Sequence, residues 1–102
     1  MYKLIATYRT PSDIEAFERH YRAVHLPLTR RIPGLARVVL NRGIIPPWGG
    51  EIETYLIAEL HFPDEATFRH AMASPENRAT GKDLRSFAGG IVSLAVVKEE
   101  PG

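Results

Sequence analysis

Apolar positions change period along this chain, and the changes mark its elements. Residues 2–9 (Tyr-Lys-Leu-Ile-Ala-Thr-Tyr-Arg) are aromatic, β-branched or apolar at most positions and end at Thr10-Pro11, which predicts a first strand. Ser12-Asp-Ile-Glu15 then reads as a capping box, with Asp13 and Glu15 placed to suit a helix dipole. Ile14, Phe17, Tyr21, Val24 and Leu28 step by three and four and make one apolar stripe of a helix. At about 100° per residue His25 joins that stripe one turn after Tyr21, and His20 falls at its edge. Pro27 has no N–H to give, so the helix is expected to bend or end near His25 and Leu26.

Arg30-Arg31-Ile32 leads to a turn at Pro33-Gly34. Leu35 to Ile45 reads as a second strand with Gly43 a possible bulge, and Pro46-Pro-Trp48-Gly-Gly50 as a loop. Thr54 to Phe62 is a third strand. Its even positions Leu56, Ala58, Leu60 and Phe62 are apolar, and its odd positions Tyr55, Ile57, Glu59 and His61 are mixed. A second helix opens at Pro63-Asp64-Glu65, with Phe68, Ala71 and Met72 on one face and His70 opposite. Ser74-Pro75-Glu76 is a fresh helix start, and Leu84 and Phe87 carry helix on to Gly89-Gly90. Ile91 to Val97 is a fourth strand. The order β-α-β-β-α-β is the ferredoxin-like arrangement: a four-stranded antiparallel sheet with helices on one face, in a single domain spanning residues 1–102. Ile91-Val-Ser-Leu-Ala-Val-Val and Leu56-Ile-Ala are nearly apolar on both faces, which asks for cover on both sides of the sheet. Two helices cover one side, so a second copy of the sheet is expected on the other, giving a homodimer that approaches a closed barrel.

Composition narrows the function classes. With 44% hydrophobic and 25% charged residues the chain is an ordinary globular sequence. A net charge of +1 offers no concentrated basic face for nucleic acid. The absence of cysteine excludes disulfides, thiol nucleophiles and cysteine metal sites. No apolar run has the length of a membrane span, and the N-terminus lacks a signal-peptide pattern, so a soluble cytoplasmic protein is expected. His20 and His25 are five apart rather than at the spacing of a helical zinc pair, so no metal is expected. No glycine-rich phosphate loop and no nucleophile elbow occur, so no nucleotide cofactor or serine triad is expected.

Phe17-x-x-His20-Tyr21-x-x-x-His25-x-Pro27-Leu28 followed by Pro33-Gly34-Leu35 resembles the EthD family of the dimeric α/β-barrel superfamily. Asp64-Glu-Ala-Thr-Phe68 and Ala73-Ser-Pro-Glu76 are similar to the family's second helix. The resemblance covers nearly the whole chain and implies the fold above. The family takes its name from a protein associated with fuel-ether degradation, and its members are often labelled reductases. The wider superfamily includes cofactor-free monooxygenases, lactone isomerases, polyketide cyclases and haem-degrading enzymes, so fold transfers further than chemistry.

His25 matches the histidine of that motif and is turned inward by helical phase. A half-buried imidazole can serve as general base or acid, and Tyr21 can donate to a developing oxyanion. Tyr8 shares the parity of Leu4 and Ala6, so Tyr8, Tyr21 and His25 can cluster between sheet and helix around an aromatic or enol substrate. The bland alternative has His25 capping carbonyls freed by Pro27 while the tyrosines fill core. His61, Glu59, Lys3 and Arg9 share the other sheet face and either line a polar cavity or pair with each other across the dimer. Trp48 is a lid, a dimer contact or a loop anchor; Phe87 is a further substrate-binding candidate. His20 and His70 read as helix-surface residues, and Arg30 and Arg31 as residues favoured at a helix end.

The resulting expectation is a small cofactor-independent enzyme acting on a hydrophobic, oxygenated small molecule by proton transfer, isomerisation or monooxygenation, with His25 as base. The alternatives are a non-catalytic binding or accessory dimer in a degradation pathway, and a haem-degrading monooxygenase built from Asn41, Trp48 and His61.

Overall fold

The structure, a computed structural model, describes all 102 residues. Strands β1 (Tyr2–Arg9), β2 (Arg37–Asn41), β3 (Thr54–Phe62) and β4 (Val92–Lys98) form one antiparallel sheet in the order β2-β3-β1-β4. Helix α1 (Ile14–His20) runs through a π-helical turn (Tyr21–His25) into α2 (Leu26–Thr29), and α3 (Glu65–Met72) and α4 (Pro75–Ala88) follow β3. This is the ferredoxin-like fold expected from the pattern. No helix is long and apolar enough to cross a membrane.

The helix starts are set by short polar side chains. Asp64 accepts from the Thr67 amide at 2.8 Å, and Ser74 accepts from the Asn77 amide at 3.1 Å with Pro75 behind it. At α1 the cap is Asp13, which accepts from the Ala16 amide at 3.0 Å, and not Ser12 as the capping-box pattern suggested. Asp13 is one residue closer to the first helical turn. Gly34, at φ +78°, turns the chain beneath α3, where a Cβ would run into Thr67 Cγ2.

Two strands depart from expectation. β2 is confined to Arg37–Asn41, because Gly43 at φ +65° takes the chain out of strand geometry rather than forming a bulge within it. In β3 the register slips: Tyr8 faces Leu56 but Arg9 faces Thr54, so Tyr55 is an extra residue. The bulge brings Tyr55 to the helix side, where its ring meets Phe17 edge-on at 5.7 Å and its hydroxyl donates to Glu18 at 2.6 Å.

Buried side chains fall into two groups on the helix-covered face. One gathers Ala6, Tyr8, Leu56 and Ala58 under Phe17, Tyr21, Leu26, Leu84 and Ala88. The other gathers Leu60 and Phe62 under Ile32, Phe68 and Ala71. Within one chain β4 is a sheet edge, and Leu94 and Val96 are more than half exposed.

Candidate functional site

The helix around Pro27 neither ends nor breaks. The Leu26 amide reaches back five residues to the Tyr21 carbonyl, so one extra residue is wound into the turn. Pro27 then falls in the first turn of α2, where an amide hydrogen is not required. The wider turn also shifts the phase of the buried face. Phe17 and Tyr21 are buried as the three-and-four spacing requires, but beyond them the buried set is His25, Leu26 and Thr29, and Val24 is turned to solvent. The carbonyl of His25 accepts from the Thr29 hydroxyl at 3.0 Å, and the ring bonds Asp83 rather than a backbone carbonyl, so it does not take the capping role considered for it.

The ring is instead directed at α4. His25 Nδ1 lies 3.0 Å from Asp83 Oδ2, and His20 Nε2 lies 2.8 Å from Asp83 Oδ1. A carboxylate only accepts, so each ring donates: His25 through Nδ1–H and His20 through Nε2–H. That leaves Nε2 of His25, which has no partner within the chain, as the nitrogen with the free lone pair. Burial lowers the His25 pKa below 6.5, offset in part by the hydrogen bond and charge of Asp83. The ring is therefore uncharged near neutral pH and able to accept a proton.

His25 opens on a cavity of about 240 Å³ between the sheet and the helices. Its floor is the cross-strand pair Ala6 and Ala58, flanked by Leu4 opposite Leu60. Two methyl groups where neighbouring pairs carry larger side chains leave the gap between the two core groups. Tyr8 and Tyr21 stand in its wall, their rings edge to face at 5.8 Å, and Tyr21 is 5.4 Å from the His25 ring. Burial pushes the Tyr21 phenol up to about 12 and the Tyr8 phenol further, with Tyr21 adding to the effect at Tyr8. Both remain protonated donors at neutral pH. The wall is braced from outside by Glu18, which accepts from Arg42 at 2.7 and 3.0 Å and from Tyr55. Burial alone would raise the Glu18 carboxyl, but those bonds outweigh it and hold it below its ordinary value.

Tyr8, Tyr21 and His25 are thus brought together as the strand parity and helix phase implied. His20 is not a surface residue: it is half-buried, bonded to Asp83 and 4.5 Å from Phe87. Phe87 lies between the two imidazoles, 5.0 Å from His25, and with His20 it lines a separate outer cleft of about 420 Å³. His61 and Trp48 do not reach the cavity. His61 lies on the uncovered sheet face, where it donates to Glu59 at 3.0 Å, because its strand parity is opposite to that of Leu60. Glu59 also pairs with Lys3 at 3.6 Å and accepts from Asn41 at 2.8 Å, while Arg9 leaves this group to bond the Gly90 carbonyl. The polar residues of that face pair within one chain. Trp48 is 94% exposed in the β2–β3 loop and anchors nothing on its own chain. Asn41, Trp48 and His61 therefore line neither the cavity nor the cleft. No three His, Asp or Glu side chains converge as metal ligands would.

Asp83 was not among the residues the sequence singled out. Its faint signal is position: Asp83 precedes Leu84 and stands one helical turn before Phe87, on the flank of a buried stripe.

Comparison with known proteins places this arrangement. The chain is 33% identical over 100 residues to an uncharacterized 11.0 kDa protein from the thcB–thcC intergenic region of Rhodococcus erythropolis, covering 98% of this chain and 96% of that one. It superposes on the crystal structure of an EthD family protein of Bacillus halodurans with a TM-score of 0.91 and 41% identity, covering 98% and 99% of the two chains. SnoaB of Streptomyces nogalater, a cofactor-independent oxygenase, shares the fold at a TM-score of 0.64 and 16% identity over 99% and 94% of the chains. The EthD domain model matches residues 9–90, a span that holds Tyr21, both bridged histidines and Asp83 and begins one residue after Tyr8, and the chain belongs to the EthD family.

Proposed function

We propose that the chain is a small enzyme that takes a proton from an apolar, oxygen-bearing small molecule held between sheet and helices, with His25 as general base and no cofactor in the step. The observation that carries this reading is the His25–Asp83 pair. One ring nitrogen is tied to a carboxylate at 3.0 Å, and the ring stands in the wall of the cavity. Asp83 fixes the tautomer and stabilises the imidazolium that forms as the proton arrives at Nε2. The electron pair left behind becomes an enolate or phenolate, which the Tyr21 hydroxyl can meet as a donor because its own proton is held up to about 12. Returning the proton to another carbon is isomerisation; addition of dioxygen to an enolate carbon that bears a further hydrogen gives a hydroperoxide that loses water to leave a carbonyl, so that the substrate supplies the electrons, one oxygen atom stays in the product and the other leaves as water. The SnoaB fold is a precedent for the second course without a cofactor.

The assembly we infer is a homodimer joined through the sheet face that the helices leave open. That face carries Ile5 and Ile57 half-exposed on neighbouring strands, and a second sheet would cover them. Sedimentation should give twice the chain mass, and Ile57→Lys should return it to a single chain; a monomeric parent protein refutes the arrangement.

The function is tested by following the ring protons of the four histidines by NMR while small phenols, quinones and lactones are added. His25 should titrate below 6.5, move with ligand, and be required for turnover, so that a folded His25→Ala variant binds without reacting. A response confined to His61 overturns the site. Turnover unaffected by His25→Ala overturns His25 as the base, and ligand binding with no turnover at all leaves a non-catalytic accessory dimer.

A further inference from the structure

We propose that the molecule taken by this cavity bears a carboxylate, and that the Arg85 guanidinium is its counter-charge. The inference rests on the cavity beside His25 being the binding site, and adds the substrate class.

The argument starts from what lines the space. Of its fifteen lining residues nine are hydrophobic; Arg85 alone carries a permanent charge, and none is acidic. A cavity so lined disfavours a cation and leaves an arginine asking for an anion. Arg85 has no such partner inside the chain. Arg22 and Arg42 are taken by Glu18, Arg69 by Glu65, and Arg9 and Arg78 by backbone carbonyls, while Arg19, Arg30, Arg31 and Arg37 lie outside the cavity lining. Arg85 makes neither an ion pair nor a side-chain hydrogen bond. The carboxylate nearest to it along α4, Asp83, has both oxygens engaged by His20 and His25.

Gly81 supplies a second and independent observation. It lies inside α4 with an ordinary helical backbone, where glycine weakens a helix and no turn requires it. It also lines the cavity, one turn before Arg85, and a Cβ at this position would stand 3.5 Å from Arg85 Nη1. The guanidinium therefore lies back along α4 over the bare glycine, at the cavity wall, with solvent still open to its outer side. Because Arg85 also lines the outer cleft, its charge stands where the two spaces approach each other.

A planar guanidinium matches a carboxylate with two parallel hydrogen bonds, which a phenol or ketone oxygen cannot offer. Size agrees with a small acid. About 150 Å³ suffices for benzene in an engineered protein cavity, so a space of about 240 Å³ accommodates one ring and a short carboxylated arm. The carboxylate at Arg85 would then hold the apolar body against Ala6 and Ala58 with its acidic C–H or O–H toward Nε2 of His25.

The test uses the full chain and a matched pair of probes, 4-hydroxyphenylacetate and its methyl ester, with affinity measured by calorimetry and position by the His25 ring signal. The acid should bind about tenfold or more tightly than the ester, the difference expected of a charge-assisted pair. Arg85→Gln, an exposed position that leaves the core untouched, should remove that preference while the ester still moves His25. Equal affinity of acid and ester in the parent protein, or a preference that survives Arg85→Gln, overturns the carboxylate inference and leaves the His25 site standing. If neither probe moves His25 at any concentration that binds, the site and the inference fall together.

Discussion

Asp83 divides its carboxylate between two rings, and that division has consequences that can be measured at single residues. The hydrogen bond and charge of Asp83 raise the His25 pKa against the larger lowering effect of burial. Asp83→Asn keeps an oxygen to accept but removes the charge. His25 should then titrate at a still lower pH, read from its ring signals; an unchanged or higher midpoint would show that the carboxylate does not act on this ring. A linked effect appears in stability. The folded His25 resists protonation and the unfolded ring does not, so the unfolded chain binds more protons once pH falls through 6.5. Unfolding by urea should therefore become easier as pH drops from 6.5 toward the lowered folded value, and the loss should be smaller in His25→Gln. Of this site the sequence revealed His25 and Tyr21, which share a helix face, and Tyr8, which shares strand parity with Ala6. Asp83 was hidden because its bonds cross 58 and 63 residues of chain, and helical periodicity carries no information at that range.

At the scale of elements, the turn from Tyr21 to His25 shows how one added residue redirects a face. Proline predicts a disturbance in a helix and does not say which of several remedies the chain adopts. Here the remedy is a wider turn, and its price is that Val24 leaves the buried face while Leu26 and Thr29 enter it beside His25. The bulge at Tyr55 is the strand counterpart: alternation placed this residue on the mixed face, and one extra residue opposite the end of β1 brought it to Glu18 and Phe17. The junction before β2 depends on Gly34 in the same way. Its backbone lies at φ +78°, and any side chain meets Thr67 in the first turn of α3. Gly34→Ala should destabilise the fold by about 1–3 kcal/mol, the cost of forcing a non-glycine residue into this region, measured as a lower denaturation midpoint. A midpoint equal to that of the parent would mean that the turn can relax.

In the whole molecule the cavity exists because the two core groups do not close on one another. Ala6 and Ala58 oppose each other in the sheet where larger pairs stand on both sides. Filling that floor should separate binding from folding. Ala58→Leu adds volume into empty space, so it should keep or raise the thermal midpoint while removing ligand-induced movement of the His25 signal; a large loss of stability would mean that the space cannot accept it. The edge strand β4 adds a second feature of this scale. Its nearly unbroken apolar run called for cover on both faces, yet in one chain Leu94 and Val96 remain more than half exposed.

The sequence by itself determined the element order, the strand parities, the family and the inward set of Phe17, Tyr21, His25 and Tyr8. Those features depend on neighbours within a few residues, where period and cap chemistry act. The tertiary structure decided the rest: which carboxylate orients His25, which lone pair is left free, and where the two sides of the core fail to meet. It also decided that Arg85 lies at the cavity wall. Each of these follows from the approach of α4 to the π-helical turn and the sheet, a distance in space that no local pattern encodes.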